Sequence, residues 1–239
     1  MTPKTTRPHV ARVLEHTRAA LFVFDDAICD LFRDVAPPPI AGEISDQLFA
    51  AGHRMSGLVA LNPDPIGMMW YARRVNQDIG AEAARCVRDF EVAAARTAMP
   101  VSDVREALHA CHASGRSIAV VGDTSSDAME SYLDTHGLRQ LVGAVVGRER
   151  LFSLSLSLQT SESLLRQAMQ DLDAEPSGCA IVTRSSGAVL VAKDVGIRSL
   201  GVVNKRAPRK HLADPPEAVA VSSMAHLAAG FATVPVLGP

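Results

Sequence analysis

No apolar run in the 239-residue sequence approaches the roughly 18–20 residues needed to cross a bilayer. The opening apolar run, Ala19–Phe24, is six residues long and stops at Asp25-Asp26. It is too short for the core of a secretion signal. Surplus charge is lacking as well: 24 Lys and Arg against 26 Asp and Glu leave a formal charge of −2. Nucleic-acid binders carry basic faces, so no nucleic-acid partner and no membrane partner is expected. The four cysteines (Cys29, Cys86, Cys111, Cys179) form no C-x-x-C pair and read as buried thiols in a reducing compartment. The eight histidines show no His-x-x-x-His spacing; His109 and His112 read as the outer face of a helix. No metal and no cofactor is expected from these patterns. A glycine-rich phosphate loop and a Ser-His-Asp spacing are missing too. Lysine is scarce, 4 against 20 Arg, which with Ala-rich helices suggests a GC-rich bacterial genome. What is present is a 47% apolar chain long enough for one large domain with an insert. These features point to a soluble cytoplasmic protein.

Hydrophobic patterning divides the chain. Residues 1–18 are polar and read as a frayed lead-in, and Ala20–Phe24 as a buried strand. Pro37-Pro38-Pro39 marks a linker. Ile44–Ala51, Pro65–Arg74 and Ala81–Ala98 all read as helices, so 38–99 is expected to be an all-helical insert, a cap over a core of 1–37 and 100–239. Beyond Pro100, strands at Ser117–Val121, Leu141–Val146, Ala180–Val182, Ser199–Val203 and Ala218–Val221 alternate with helices. They predict an α/β fold with a doubly wound, Rossmann-like parallel sheet. The crevice of such a sheet lies at the strand carboxyl ends, here the loops 25–30, 122–126, 183–187 and 203–206.

From about Ala20 to Phe231 the sequence resembles the haloacid dehalogenase-like hydrolases, in particular phosphoglycolate phosphatase-like members with a helical cap. The carrying stretches include Ile28-Cys-Asp-Leu-Phe32, Asn62-Pro-Asp-Pro65, Glu91-Val-Ala-Ala94 with Met99-Pro100, Ala119-Val-Val121, His136-Gly-Leu138 and Gly201-Val-Val-Asn-Lys205, which look like the framework of actinobacterial members. The resemblance implies a nucleophilic Asp ending the first strand and an acid/base Asp two residues later. It also implies a hydroxyl after the second strand, then a Lys, and finally carboxylates that hold Mg²⁺. These would supply covalent catalysis, proton transfer and charge neutralisation.

The sequence departs from that pattern at each motif. In the ungapped register Val23 takes the nucleophile position and Asp25 the acid/base position; a slip of two makes Asp25 the nucleophile but puts Ala27 at the other. Gly122 follows the second strand, with Thr124 and Ser125 nearby. Gln159 stands at the Lys position, and Arg184 where a metal-binding Asp belongs. Magnesium needs carboxylates and water, and a guanidinium reverses the local charge.

The candidate catalytic residues are therefore Asp25, Asp26, Asp123 and Arg184. Asp25 and Asp26 read either as turn residues or as a proton acceptor and an anchor for Arg184. Arg184 is expected to pair with Asp25 or Asp123, or to bind an anion. Asp123, Thr124 and Ser125 read as a helix cap or a ligand contact. Ser185, Gln159, Asn204, Lys205, His53 and Trp70 complete the candidate ligand contacts. Met68-Met69-Trp70-Tyr71 reads as core filler or as a lid over a ligand. Three functions compete: a phosphatase-inactive protein binding a small anionic or apolar molecule, with a homodimer left open; a repurposed metal-independent lyase, isomerase or cyclase of specialised metabolism; and a residual phosphatase using Asp25.

Overall fold

The computed structural model describes residues 8–32, 39–61, 63–149, 161–203, 212 and 218–236. Gln159, Asn204 and Lys205 lie outside them. Six parallel strands, β1 (Ala19–Val23), β2 (Ser117–Val121), β3 (Ala144–Val146), β4 (Cys179–Thr183), β5 (Arg198–Val202) and β6 (Ala218–Val221), form one sheet in the order β3-β2-β1-β4-β5-β6. The reversal of strand order on either side of β1 makes β1 the topological switch strand. Its side chains alternate between two apolar layers. Ala20 and Phe22 face the larger, while Ala19 and Leu21 face the smaller. Burial on both faces explains why these strands read as continuous apolar runs.

The larger layer is covered by α1 (Pro8–Glu15), α6 (Val104–Ala113), α7 (Ser126–Thr135) and α10 (Met224–Thr233). The smaller is covered by α8 (Ser161–Asp171) and α9 (Ser186–Val195). The expected lead-in is corrected: α1 is helical and buries Val10, Val13 and Leu14. Eight residues hold too little periodicity to announce a helix, and packing rather than propensity holds it. The Leu141–Val146 strand is shorter than expected, because Leu141 closes a 3₁₀ turn, Arg139–Leu141.

Between the turn after β1 and α6, every regular element among the described residues is helical: α2 (Ile40–Ala50), α3 (Gly57–Ala60), α4 (Pro65–Val75) and α5 (Gln77–Ala95). Pro65 opens α4 behind Asp64, whose carboxylate accepts from Ile66 and Gly67 N–H at 3.1 and 3.0 Å. These helices bury a cluster of their own around Ile44, Leu48, Met68, Met69 and Val87. Packing changes hands along α5: Ala83 and Val87 belong to that cluster, Ala94 and Ala95 to the sheet layer. No helix among the described residues is long and apolar enough to cross a membrane.

Candidate functional site

β1 ends on Val23, in register with Val121, the last residue of β2; β4 on its other side ends on Thr183. The chain then makes one tight π-helical turn, Phe24–Ile28. The residue ending the first strand is thus a valine, half-buried and packed on the smaller apolar layer. Trp70, from α4, packs on that layer as well as on the helical cluster. Met68 and Met69 are fully buried among the helices, so they fill a core and do not line a crevice.

The two aspartates after β1 differ in role. Asp26 fastens the turn to the β4 exit: Thr183 Oγ1 donates to Oδ2 at 2.7 Å and the Arg184 N–H to Oδ1 at 2.8 Å. Burial still pushes its pKa up to about 6. Asp25 Oδ1 accepts the Leu31 N–H at 2.7 Å. Desolvation raises its pKa, although Asp25 keeps exposed surface, and Asp30 and Glu91 add to the rise.

Arg184 corrects an expectation. Where the sequence suggested Asp25 or Asp123, Nη1 donates to the Asp26 carbonyl at 2.9 Å and lies 3.5 Å from Asp30 Oδ1. The backbone leaving β4 turns the side chain towards the β1 turn, where Asp26 and Asp30 sit. Ser185 is exposed, its N–H donating to Thr183 Oγ1 at 3.0 Å.

At the β2 exit, Thr124 and Ser125 are buried, and Ser125 Oγ accepts from Ala128 N–H to cap α7. Neither side chain is exposed, and the Ser125 hydroxyl is engaged by the helix cap. Burial pushes Asp123 up to about 6, with Arg148 opposing and Glu91, Asp64 and Glu149 adding to the rise. His53 is engaged with Asn76, ring Nε2 to Nδ2 at 3.2 Å, and Asn76 caps α5. It ties the helices to each other.

Sequence reasoning missed a buried ion pair. Glu91 on α5 and Arg148 just beyond β3 are each 1% exposed and meet through two hydrogen bonds of 2.8 and 2.7 Å. Glu91 also accepts the Ser125 N–H at 3.0 Å, and Arg148 Nη1 donates to the Asp123 carbonyl at 2.7 Å. Arg148 Nε is buried with no partner among the described residues. The signal was in the sequence: Ala83, Val87, Glu91 and Ala94 recur at helical spacing, so Glu91 is a charge on an apolar stripe and requires a partner.

Also unforeseen is a cavity of about 570 Å³ on the other side of β1. It lies between the segment 97–103, the β1 exit at Asp30, Arg184, and the ends of β5 and β6 at Val203 and Ser223. Trp70 does not line it. The residues here do not suit Mg²⁺. Asp26 already receives two donors, and no group of three His, Cys, Asp or Glu among the described residues is arranged to hold a metal ion.

No protein-family model matches the chain, and no curated protein is similar to it at a significant level. Solved structures are. A haloacid dehalogenase-like hydrolase from Streptococcus pneumoniae aligns over 90% of this chain and 99% of its own, at TM-score 0.58 and 12% identity. A predicted phosphoglycolate phosphatase from Haemophilus somnus covers 88% and 96%, at 0.57 and 15%. CbbY from Rhodobacter sphaeroides, in complex with phosphate, covers 88% and 96%, at 0.60 and 16%. These alignments, spanning 88–90% of the chain, show the fold: the chain has the fold of the haloacid dehalogenase-like hydrolases.

Proposed function

We propose that this protein has this hydrolase fold without its phosphoryl-transfer machinery, and that it binds a small molecule at the strand ends. The observation that carries the reading is Val23 as the last residue of β1, because an alkyl side chain cannot attack phosphorus. Supporting it, both Asp26 oxygens are taken by Thr183 and Arg184. The buried cation at the β2 and β3 exits, Arg148, is neutralised by Glu91 and so offers little to a phosphate. Fold likeness does not carry the neighbours' activities over.

The test is turnover of p-nitrophenyl phosphate and a panel of sugar and glycolate phosphates, with and without Mg²⁺. No turnover is expected. Turnover that Asp25→Asn abolishes would overturn the reading and make Asp25 a phosphatase nucleophile.

One observation favours a second reading, a metal-independent enzyme in which Asp25 is a general base. Asp25 keeps exposed surface, and desolvation raises its carboxyl above the ordinary carboxylate range. A reaction of a non-phosphorylated substrate that Asp25→Asn stops would establish it.

A further inference from the structure

We infer that Glu91 and Arg148 form a latch that holds the helical insert and the exits of β2 and β3 as one rigid body. The insert then does not swing open as a whole to admit a ligand. The inference concerns motion, and it stands whether or not the strand ends have lost phosphoryl transfer.

An insert joined to a sheet domain by two chain segments can open as a rigid body, with those segments as the hinge. Here one helix belongs to both parts. Ala83 and Val87 on α5 pack in the insert cluster, whereas Ala94 and Ala95 pack in the larger sheet layer. Swinging the insert therefore needs either a kink in α5 or withdrawal of its second half from that layer. Sharp kinks arise at proline, at Gly/Ser pairs, at a π-bulge or where a group enters the backbone ladder. From residue 81 to 95 the helix has no glycine, serine or proline. Gly80, near its start, is pressed against α4: a Cβ there would lie 2.5 Å from Arg73 Cα, so α4 rides on α5 without a gap.

Withdrawal is opposed at Glu91, which lies one turn beyond Val87, between the two sets of packed residues. Its two bonds to Arg148 are charge-assisted and parallel, so they fix direction as well as distance. The same pair holds the β2 exit at three successive residues. Arg148 donates to the Asp123 carbonyl through Nη1 at 2.7 Å and to the Thr124 carbonyl through its N–H at 3.0 Å, while Glu91 accepts the Ser125 N–H at 3.0 Å. Drawing Glu91 out would break three of these bonds together and leave Arg148 buried without its carboxylate, the costly outcome for such a pair. Contacts on either side of Glu91 repeat the attachment. Phe90 stacks on Phe32 with ring centroids 5.4 Å apart, and Arg88 Nε lies 3.7 Å from Asp127 Oδ2 on α7. The segments flanking the insert are themselves joined, by the Cys29–Pro100 bridge and by the Val101 N–H donating to the Ile28 carbonyl at 2.8 Å.

Spin labels read the geometry directly. In a Cys86→Ala background, which leaves three buried thiols, Gln47→Cys on α2 and Glu106→Cys on α6 put one label on each part, both at exposed positions. Double electron–electron resonance is expected to give one narrow distance distribution while the latch is intact. Adding Glu91→Leu with Arg148→Met removes the polar latch and keeps apolar side chains in its place, and should broaden the distribution or add a second population. If melting curves show that this variant does not fold, Glu91→Gln, which removes the charge at equal size, replaces it. Hydrogen exchange gives a second readout at residue 148, whose N–H keeps its acceptor on Thr124 in either variant. Exchange there should quicken at least ten-fold, with Val120 in the sheet unchanged. A broad or two-population distribution with the latch intact overturns the inference, because the insert then swings regardless. An unchanged narrow distribution in the variant overturns it too and leaves the pair a contributor to stability alone. Unchanged exchange at residue 148 separates the β2 exit from the insert and overturns it as well.

Discussion

Two arginines are buried at opposite ends of the same sheet, and they are satisfied in opposite ways. Arg116 lies just before β2, at the amino end of the strands, and is 2% exposed. It donates to the carbonyls of Thr17, Leu14 and Val234 at 2.8–3.0 Å and to Ser114 Oγ at 2.6 Å, and its guanidinium lies 5.5 Å from the Phe231 ring centroid. These acceptors gather at the ends of α1, α6 and α10, where helices leave carbonyls unpaired and carry partial negative charge. Arg148, at the carboxyl end, uses a carboxylate and sits among further acids. The amino end is thus closed by neutral acceptors, whereas the carboxyl end concentrates ionised groups in partial burial. The acids whose pKa values are raised, Asp25, Asp26 and Asp123, all lie at the carboxyl end, where desolvation is the main cause.

This comparison has a direct test in stability. Glu91→Leu leaves the Arg148 guanidinium buried without its carboxylate and is expected to cost about 3–5 kcal/mol. Arg116→Met strands several carbonyls, each able to recruit some solvent or relax, and should cost less, about 2–3 kcal/mol. Chemical denaturation with a constant m-value measures both. The double change Glu91→Leu with Arg148→Met should recover much of the first loss, since the charge and its partner leave together. No charge-removing double variant exists for Arg116, whose hydrogen-bond acceptors are backbone carbonyls and the neutral Ser114 hydroxyl. If Arg116→Met proves the more damaging, the two ends are not different in kind.

A smaller effect concerns pH. The Asp123 carboxyl titrates near 3.8 when unfolded and near 6 when folded, mainly through desolvation. The folded state therefore holds this proton more tightly. The cost of ionising Asp123 is absent below about pH 3.8, develops as pH rises towards 6, and is full above it. Asp123→Asn removes a group that is costly when charged, so it should stabilise the protein at pH 7.5 and change nothing at pH 3.5. Because Asp123 keeps exposed surface, solvent screening should hold the gain below about 1 kcal/mol, or at most a few degrees in Tm. A gain of the same size at pH 3.5 would place its origin in packing.

How far the sequence revealed this structure depended on whether the signal was local. The strands were legible because a doubly buried strand is a short apolar run: Ser117–Val121 and Ala218–Val221 match residue for residue. Capping chemistry placed α7 at Ser126, where Ser125 supplies the cap. Three of the four cysteines are buried as small apolar groups, and Cys86 is half-buried. The site was less legible. Val23 could be placed at a strand end, but the partner of Arg184 depends on how one turn folds over two residues. Asp26 and Asp30 were one and five positions from the Asp25 that sequence favoured. The Glu91–Arg148 pair joins residues 57 apart, and the cavity draws its lining from four strand exits and a helix start. No spacing rule encodes such contacts, which exist only once the sheet has formed.

The smallest expected effect is the most informative about why the carboxyl end looks as it does. Gly122, directly after β2, stands where the resemblance to the haloacid dehalogenase-like hydrolases implies a hydroxyl. A Cβ added there would meet Met129 Cε at 3.4 Å and Phe24 Cβ at 3.5 Å, ordinary contact with a flexible neighbour, and the backbone is not in the left-handed region. Gly147 is the opposite case, where a Cβ would lie 2.5 Å from the Ser126 backbone nitrogen. Gly122→Ser should therefore change stability by less than about 0.5 kcal/mol, as surface substitutions do, whereas Gly147→Ala should be clearly destabilising. If so, nothing in the fold compels a glycine at 122. Combining Gly122→Ser with Val23→Asp should still give no Mg²⁺-dependent turnover of p-nitrophenyl phosphate, because Asp26 remains tied to Thr183 and Arg184 and Arg148 remains tied to Glu91. Turnover in the double variant would show that two substitutions suffice to rebuild the site, and that the ionised carboxyl end is still poised for phosphoryl transfer.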